Sequence, residues 1–367
     1  MGIDNWGKPG RASVLVGGQF GSEGKGLAAA YLAGRIGDGH AGIATTNAGA
    51  QAGHTTKYKD GREFVCYHLP TTGVVKPGWL SYINAGSIIN PEVLEREIKD
   101  TSVSNIMVHP RAALIERRHT LHEASYTAGT TRTGSTQKGV GAALCSKLMR
   151  ERNVAGEYPN IVDGWRVDTI DLNCMLDGGI PVTVEIPQGT GLSINHGCAY
   201  PYTTSRDCYL TTGLSDAGIH PHWLGEVAMV VRTFPIRVGH IFDADGQQIG
   251  YSGPFFDDSW ELDWARDFPG IEPERTTVTK RVRRIASWSD IQYAAALRLN
   301  RPTIIVLTFC DYFQSVERFE DHLTMMSRVE ESVLGYHPEL VCSVGPCVED
   351  VMEVQEVRYW LRRRGDK

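Results

Sequence analysis

The chain has 367 residues, 41% hydrophobic and 22% charged, with a formal net charge of −6. That composition belongs to a globular protein: disorder is excluded, no apolar run approaches the roughly 18 residues that suggest a transmembrane helix, and the negative balance argues against wholesale nucleic-acid binding. The eight cysteines are scattered, and the closest pair, Cys342 and Cys347, lacks the two-residue gap of a zinc or redox hairpin, so they read as reduced thiols. Met1–Arg11 is polar and reads as a loose arm rather than a signal peptide, which leads to the expectation of a cytoplasmic protein.

The apolar run Val14-Leu15-Val16 flows into a glycine loop, Gly17 to Gly26, that carries Lys25. Glycines there allow left-handed backbone and bring several N–H donors to one anion, and the start of the next helix adds its dipole. The loop is not a Walker A sequence: Gly18 to Gly24 is one residue too long, and Gly26 stands where a Ser or Thr would hold magnesium. Leu27–Ile36 has helical spacing; Glu63–His68 alternates and pairs as a hairpin with Thr55–Tyr58; Leu80–Asn84 is a short strand; Pro91–Lys99 is a helix capped by Asn90. After a strand at Ile106–His109, the polar stretch with Arg111, Glu116, Arg117, Arg118 and His119 reads as a solvated face. A second glycine loop, Gly134-Ser135-Thr136-Gln137-Lys138-Gly139, precedes a helix over Ala142–Arg152 and offers hydroxyls and amides suited to a phosphomonoester.

Val182–Ile186 has a buried-strand pattern and leads into Gln188, with Tyr200–Arg206 following, a polar group of residues at a strand end. Val227–Phe234 is a strand or a helix, and Asp243–Gly246 a hairpin turn. Thr276–Arg284 is the most basic segment, and its guanidinium groups suit a ligand bearing carboxylates or phosphates. Arg301–Phe309 is a β-branched core strand with Asp311 just past it, Glu339–Cys342 another strand before Ser343-Val344-Gly345-Pro346, and Val351–Arg364 an amphipathic helix. No repeat or linker divides the chain. The expected architecture is a single α/β domain over residues 12–367, with a central, mostly parallel sheet and a P-loop-like phosphate loop.

Residues 21–26, GSEGKG, and 51–55, QAGHT, are similar to the signatures GDEGKG and NAGHT of adenylosuccinate synthetase, and further matching stretches recur in order as far as Pro346. The resemblance implies an enzyme that uses a purine nucleoside monophosphate, L-aspartate, a nucleoside triphosphate and Mg2+, and phosphorylates the purine 6-oxygen before the aspartate amine displaces that phosphate. It implies that Gly21, Glu23, Gly24, Lys25 and Gly26 hold the triphosphate, with Asp311, Gly345 and Pro346 around its base, and that the Gly53 carbonyl meets Mg2+. His54 would be the catalytic histidine, and Lys25 a catalytic cation. Gln51, Ser135, Thr136, Gln188 and Thr204 would hold the monophosphate, together with Arg150 sent across a homodimer interface. Thr277, Val278, Thr279, Arg281 and Arg283 would bind aspartate.

The departures carry further information. Ser22 stands in the place of the family's catalytic, metal-binding aspartate, and a serine hydroxyl is a poor base and a weak ligand. The explanations are a dead enzyme, a base moved to Glu23 or water, or a changed substrate; the third is favoured, because the same exchange marks the bacteriophage branch that acts on dGMP in making diaminopurine DNA. Gln51 for asparagine agrees with a reshaped purine site. Phe309 replaces a lysine beside the base pocket, which leaves ATP, dATP or GTP as phosphoryl donor. Ordinary synthesis from IMP and a non-catalytic nucleotide-binding regulator are the alternatives.

Overall fold

Ala12–Gly17 (β1) is buried at every position, as a strand covered on both faces must be. In this computed structural model, which describes residues 2–37, 39–129, 133, 135–276 and 280–365, β1 lies inside a ten-stranded sheet. The other strands are Ile43–Thr46 (β2), Leu80–Ile83 (β3), Ile106–Val108 (β4), Arg166–Val167 (β5), Val182–Glu185 (β6), Leu224–Arg232 (β7), Ile304–Thr308 (β8), Glu339–Ser343 (β9) and Val351–Glu353 (β10). Their spatial order is β10-β9-β8-β7-β1-β6-β2-β3-β4-β5. Neighbours run parallel except β9 and β10; Leu15 lies opposite Glu185, and Gly17 opposite Val230.

Alternate residues feed two cores. Val14, Val16, Val184, Met229 and Leu307 face a layer that includes Tyr293 and Leu297 of helix Asp290–Asn300 and Phe319 and Met326 of helix Val316–Leu334. Leu15, Ala228, Val230 and Val306 face the other way, onto Ala28 and Leu32 of helix Lys25–Arg35 (α1). Each fully buried Val or Leu stabilises by roughly 1.5–3 kcal/mol, so the sheet is a firm base for the loops at its edge. The C-terminal ends of β1, β2, β6, β7 and β8 lie on one edge of the sheet, where β1 stands between the half built by β2 to β6 and the half built by β7 to β10, the kind of reversal at which open α/β sheets bind ligands.

His54–Lys57 and Glu63–Cys66 form the expected antiparallel hairpin, and the side chain of Asn90 accepts from Val93 N at the head of helix Pro91–Thr101 (α2). Val227–Phe234 resolves as strand β7. Two expectations are corrected. The N-terminal stretch is no loose arm: Ile3 and Trp6 are buried against the α1 layer, and Gly7 N–H donates to Ser13 Oγ (3.1 Å). Two apolar side chains in a polar context were enough to anchor it. The C-terminal segment starts as β10, and its helix spans Val354–Gly365. Among the described residues no helix is long and apolar enough to cross a membrane.

Candidate active site

The loop after β1 is built from left-handed residues: Gly21 at φ 82°, Ser22 at 57° and Gly24 at 89°. Ser22 is the non-glycine among them, a conformation that costs on the order of 1 kcal/mol and needs outside support. Gly24 caps α1 without a side-chain hydrogen bond, so the first amides of the helix face an incoming anion. A side chain at Gly26 would strike the Thr55 carbonyl, so this glycine is what lets the helix start approach the strand that carries His54. Within the loop Glu23 is fully buried; its Oε1 accepts from Gln19 N (3.1 Å) and Gly21 N (2.7 Å), and its Oε2 pairs with Lys25 Nζ at 2.7 Å.

His54 opens the hairpin, and its Nδ1 is 3.8 Å from Oε2 of Glu185, the last residue of β6. Glu185 is held in turn by Thr71 N (2.9 Å) and Thr72 N (2.8 Å). His54 Nε2 and Gln51 Oε1 are buried and have no hydrogen-bond partner among the described residues. A buried donor or acceptor left in this way is costly unless a ligand completes it.

Of the stretch expected to be a solvated face, Arg111 and Arg117 are exposed, but Arg118 and His119 are cavity wall. Helix Arg117–Gly129 (α3) sends Arg118, His119, His122 and Glu123 into the same cavity as the glycine loop. His119 is buried, accepting from Glu116 N at Nδ1 and meeting Ser146 Oγ at Nε2 (3.1 Å). Glu123 accepts from Gly139 N (2.6 Å) and Gly141 N (3.2 Å), at the start of helix Val140–Leu148 (α4). Charged residues look alike in sequence whether they face solvent or a polar cavity; what decides here is the second glycine loop folding back onto α3.

One cavity of about 1450 Å³ gathers Gly21, Ser22, Glu23, Gly24, Lys25 and Gly26 with Gln51, Gly53 and His54, and on other walls Ser135, Thr136, Gln188, Thr204, Arg281, Arg283 and Phe309. Burial pulls the Arg283 guanidinium below its usual range against the attraction of Glu274. Burial opposes the Glu274 carboxylate too, but Arg232 beside it holds its carboxyl below the usual value. Asp311, Gly345 and Pro346 are not among the cavity's lining residues; they follow the adjacent strands β8 and β9, as does Phe309, which lines it. Burial raises the Asp311 carboxyl. Arg150 is exposed just past α4 and outside the cavity, and Thr277, Val278 and Thr279 lie outside the described residues. Tyr202, from the polar stretch Tyr200–Arg206, is in the lining as well, and sequence reasoning missed Phe20 and Arg237 there. Arg237 stacks 4.4 Å over the Phe20 ring, and burial brings its guanidinium down to about 10. No group of three or more His, Cys, Asp or Glu among the described residues could hold a metal by itself.

The family model described as adenylosuccinate synthetase matches residues 14–158 and 155–320. The chain belongs to the adenylosuccinate synthetase family. Among its relatives, the N6-succino-2-amino-2'-deoxyadenylate synthase of Salmonella phage PMBT28 is 36% identical over 328 residues, covering 84% of this chain and 87% of the relative. The adenylosuccinate synthetase of Thermococcus onnurineus (strain NA1) is 31% identical over 311 residues, with 82% and 84% covered. Among solved structures, the cyanophage S-2L succinoaminodeoxyadenylate synthetase, bound to dGMP and to dATP as an energy donor, superposes with a TM-score of 0.81 at 30% identity, over 96% of this chain and 99% of the other. The mostly parallel sheet and its flanking helices are thus the fold of this family.

Proposed function

We propose that this chain is a carbon–nitrogen ligase that joins L-aspartate to the 6-position of dGMP, giving N6-succino-2-amino-2'-deoxyadenylate, with ATP or dATP as phosphoryl donor. The observation that carries the substrate is Ser22. It lies in the cavity where ordinary family members have an aspartate, in a chain 36% identical to a phage enzyme of that name. A shorter side chain with an acceptor leaves space for a purine edge one heavy atom wider at the 2-position. The N1 proton of either purine has to leave without the family's aspartate, since Glu23 has both oxygens engaged and no exposed surface, so Ser22 bears on the shape of the purine edge.

In this reading the 6-oxygen attacks the γ-phosphorus as the purine N1 proton passes to water, the nucleoside diphosphate departs, and the aspartate amine then displaces the 6-phosphate as inorganic phosphate, losing its proton to solvent. Lys25 and the open amides of α1 hold the triphosphate. His54 Nε2, oriented from behind by Glu185, meets the 6-oxygen where charge develops. Ser135, Thr136 and Thr204 take the 5'-phosphate, Gln51 and Gln188 contact the nucleoside, and Arg281 and Arg283, with Thr277, Val278 and Thr279, take the carboxylates of aspartate. Mg2+ suits the oxygen donors present: the carbonyl of Gly53, a residue whose Cβ position is crowded by Tyr67 and Val65 so that a side chain would not fit easily, and at most a weak contribution from Ser22, with phosphate oxygens and water completing the set. When bound it would neutralise triphosphate charge. Phe309 offers a ring face to the donor base, and the likeness to the cyanophage S-2L enzyme bound to dATP favours an adenine nucleotide, with GTP the alternative donor. A homodimer is supported by exposed Arg150 beside Leu148 and Met149, which are 71% and 77% exposed.

The test is mass-spectrometric product analysis with dGMP, GMP and IMP in parallel, each with L-aspartate, Mg2+ and ATP, dATP or GTP. A succinylated product from dGMP is expected. Product from IMP alone would return the chain to adenine nucleotide synthesis, and no product from any would favour a binding protein.

A further inference from the structure

Two of the three departures from the family pattern, Ser22 and Phe309, come from opposite ends of the chain and meet on one guanidinium. Arg232, the last residue of β7, is fully buried. Its Nη1 donates to the Ser22 carbonyl (3.3 Å) and to Glu274 Oε2 (3.2 Å), its Nη2 pairs with Glu274 Oε1, and its Cζ lies 3.7 Å from the centre of the Phe309 ring. The Gln19 side chain clamps the Arg232 backbone from both sides, accepting from its N–H (3.0 Å) and donating to its carbonyl (2.9 Å). Glu274 is tied to Tyr312 Oη (2.9 Å), and its carbonyl accepts from Arg283 N (2.7 Å). Ser22 and Phe309 are both left-handed, at φ 57° and 61°, so each needs a neighbour that holds it there.

We infer that Arg232 is a positioning residue that couples the two nucleotide sites: it makes the placement of Ser22, in the monophosphate half, depend on the placement of Phe309, in the half that takes the donor base. The inference rests on the proposed two-nucleotide reaction. A guanidinium is planar, permanently charged and able to serve carboxylate, carbonyl and ring face at once, so motion of any one partner is transmitted to the others. A base stacking on Phe309 presses the ring onto Arg232 and fixes the hydrogen bond to Ser22. By reciprocity, the monophosphate must strengthen triphosphate binding by the same factor. A lysine at position 309 would set an ammonium against this guanidinium, so the two departures belong together.

The experiment is equilibrium binding of dGMP to the full chain with and without a non-hydrolysable dATP analogue, in wild type, F309L, F309Y and R232K. Wild type should show mutual enhancement of about fivefold or more, within the usual range of allosteric coupling. F309Y keeps the ring and should keep the factor; F309L leaves no charge unpaired, yet should bring the factor close to one, with R232K reducing it as well. A role in packing alone would move the melting temperature of F309L and leave the factor as in wild type, and that result overturns the inference, as does a wild type with no enhancement. The factor is read with whichever purine monophosphate binds, so failure of the dGMP assignment is distinguishable from failure of the coupling.

Discussion

Glu23→Gln tests how the glycine loop stays folded without its anion. In the wild type the carboxylate and Lys25 form a buried pair at 2.7 Å, with side-chain exposures of 0% and 3%. Removing one partner of such a pair costs about 3–5 kcal/mol, because the other charge is left buried alone. Glutamine keeps an acceptor for Gln19 N and Gly21 N, so the lower figure, about 3 kcal/mol, applies to the ligand-free chain. A triphosphate supplies Lys25 with a new anion and no longer competes with Glu23. The variant should therefore bind dATP more tightly by up to the same 3 kcal/mol, roughly a hundredfold. Unfolding midpoints with and without saturating dATP, together with a dATP titration, measure both. An equal loss of stability in the two conditions, or unchanged dATP affinity, would refute the idea that Glu23 holds the place of the phosphate.

Four further outcomes are expected. His54→Ala should lower turnover by about 10²–10⁴-fold while dGMP still binds, and unchanged turnover removes His54 from the chemistry. Glu185→Gln should lower kcat by about tenfold or more with the KM for dGMP within about twofold, as loss of an orienting partner would; a rise confined to KM contradicts this. Ser22→Asp should shift preference from dGMP toward IMP, read as the ratio of kcat/KM values, and an unchanged ratio defeats the steric argument. Burial lifts the Glu97 carboxyl to about 7 against the pull of N–H donors from Tyr67, His68 and Leu69. Because that value lies above the ordinary one near 4.5, the folded chain holds this proton across the window between them. Stability should therefore fall by up to about 3 kcal/mol as pH rises from about 4.5 to 7, and the Glu97→Gln variant should lack this component in denaturation curves.

The central strands were legible because β1, β6 and β8 are short apolar runs bounded by glycine or polar residues, and the hairpin before Cys66 because its residues alternate. The phosphate loops were legible because glycine with lysine, or with Ser and Thr, is a local pattern. Roles made by distant residues were not. Nothing near Glu185 marks it as the partner of His54, and nothing near Arg232, which reads as the polar end of a strand, points to Ser22 or Phe309. The α3 wall was misread for the same reason, since Glu123 acquires its function only from Gly139 and Gly141. Arg237 was passed over because a buried arginine looks in sequence like any exposed one.

The order of the sheet also bears on how the chain is made. β1 is among the first segments synthesised, but one of its two neighbours, β7, begins at Leu224. At about 5–20 residues per second, roughly 10–40 s separate the two on the ribosome. During that interval an apolar strand destined for the interior has an unpaired edge, the kind of surface that chaperones cover and that aggregates in their absence. Phe309 comes later still, so the cavity cannot close until most of the chain has been translated. Yield of active enzyme should therefore be more sensitive to translation speed and to chaperone supply than the stability of the finished fold alone would indicate.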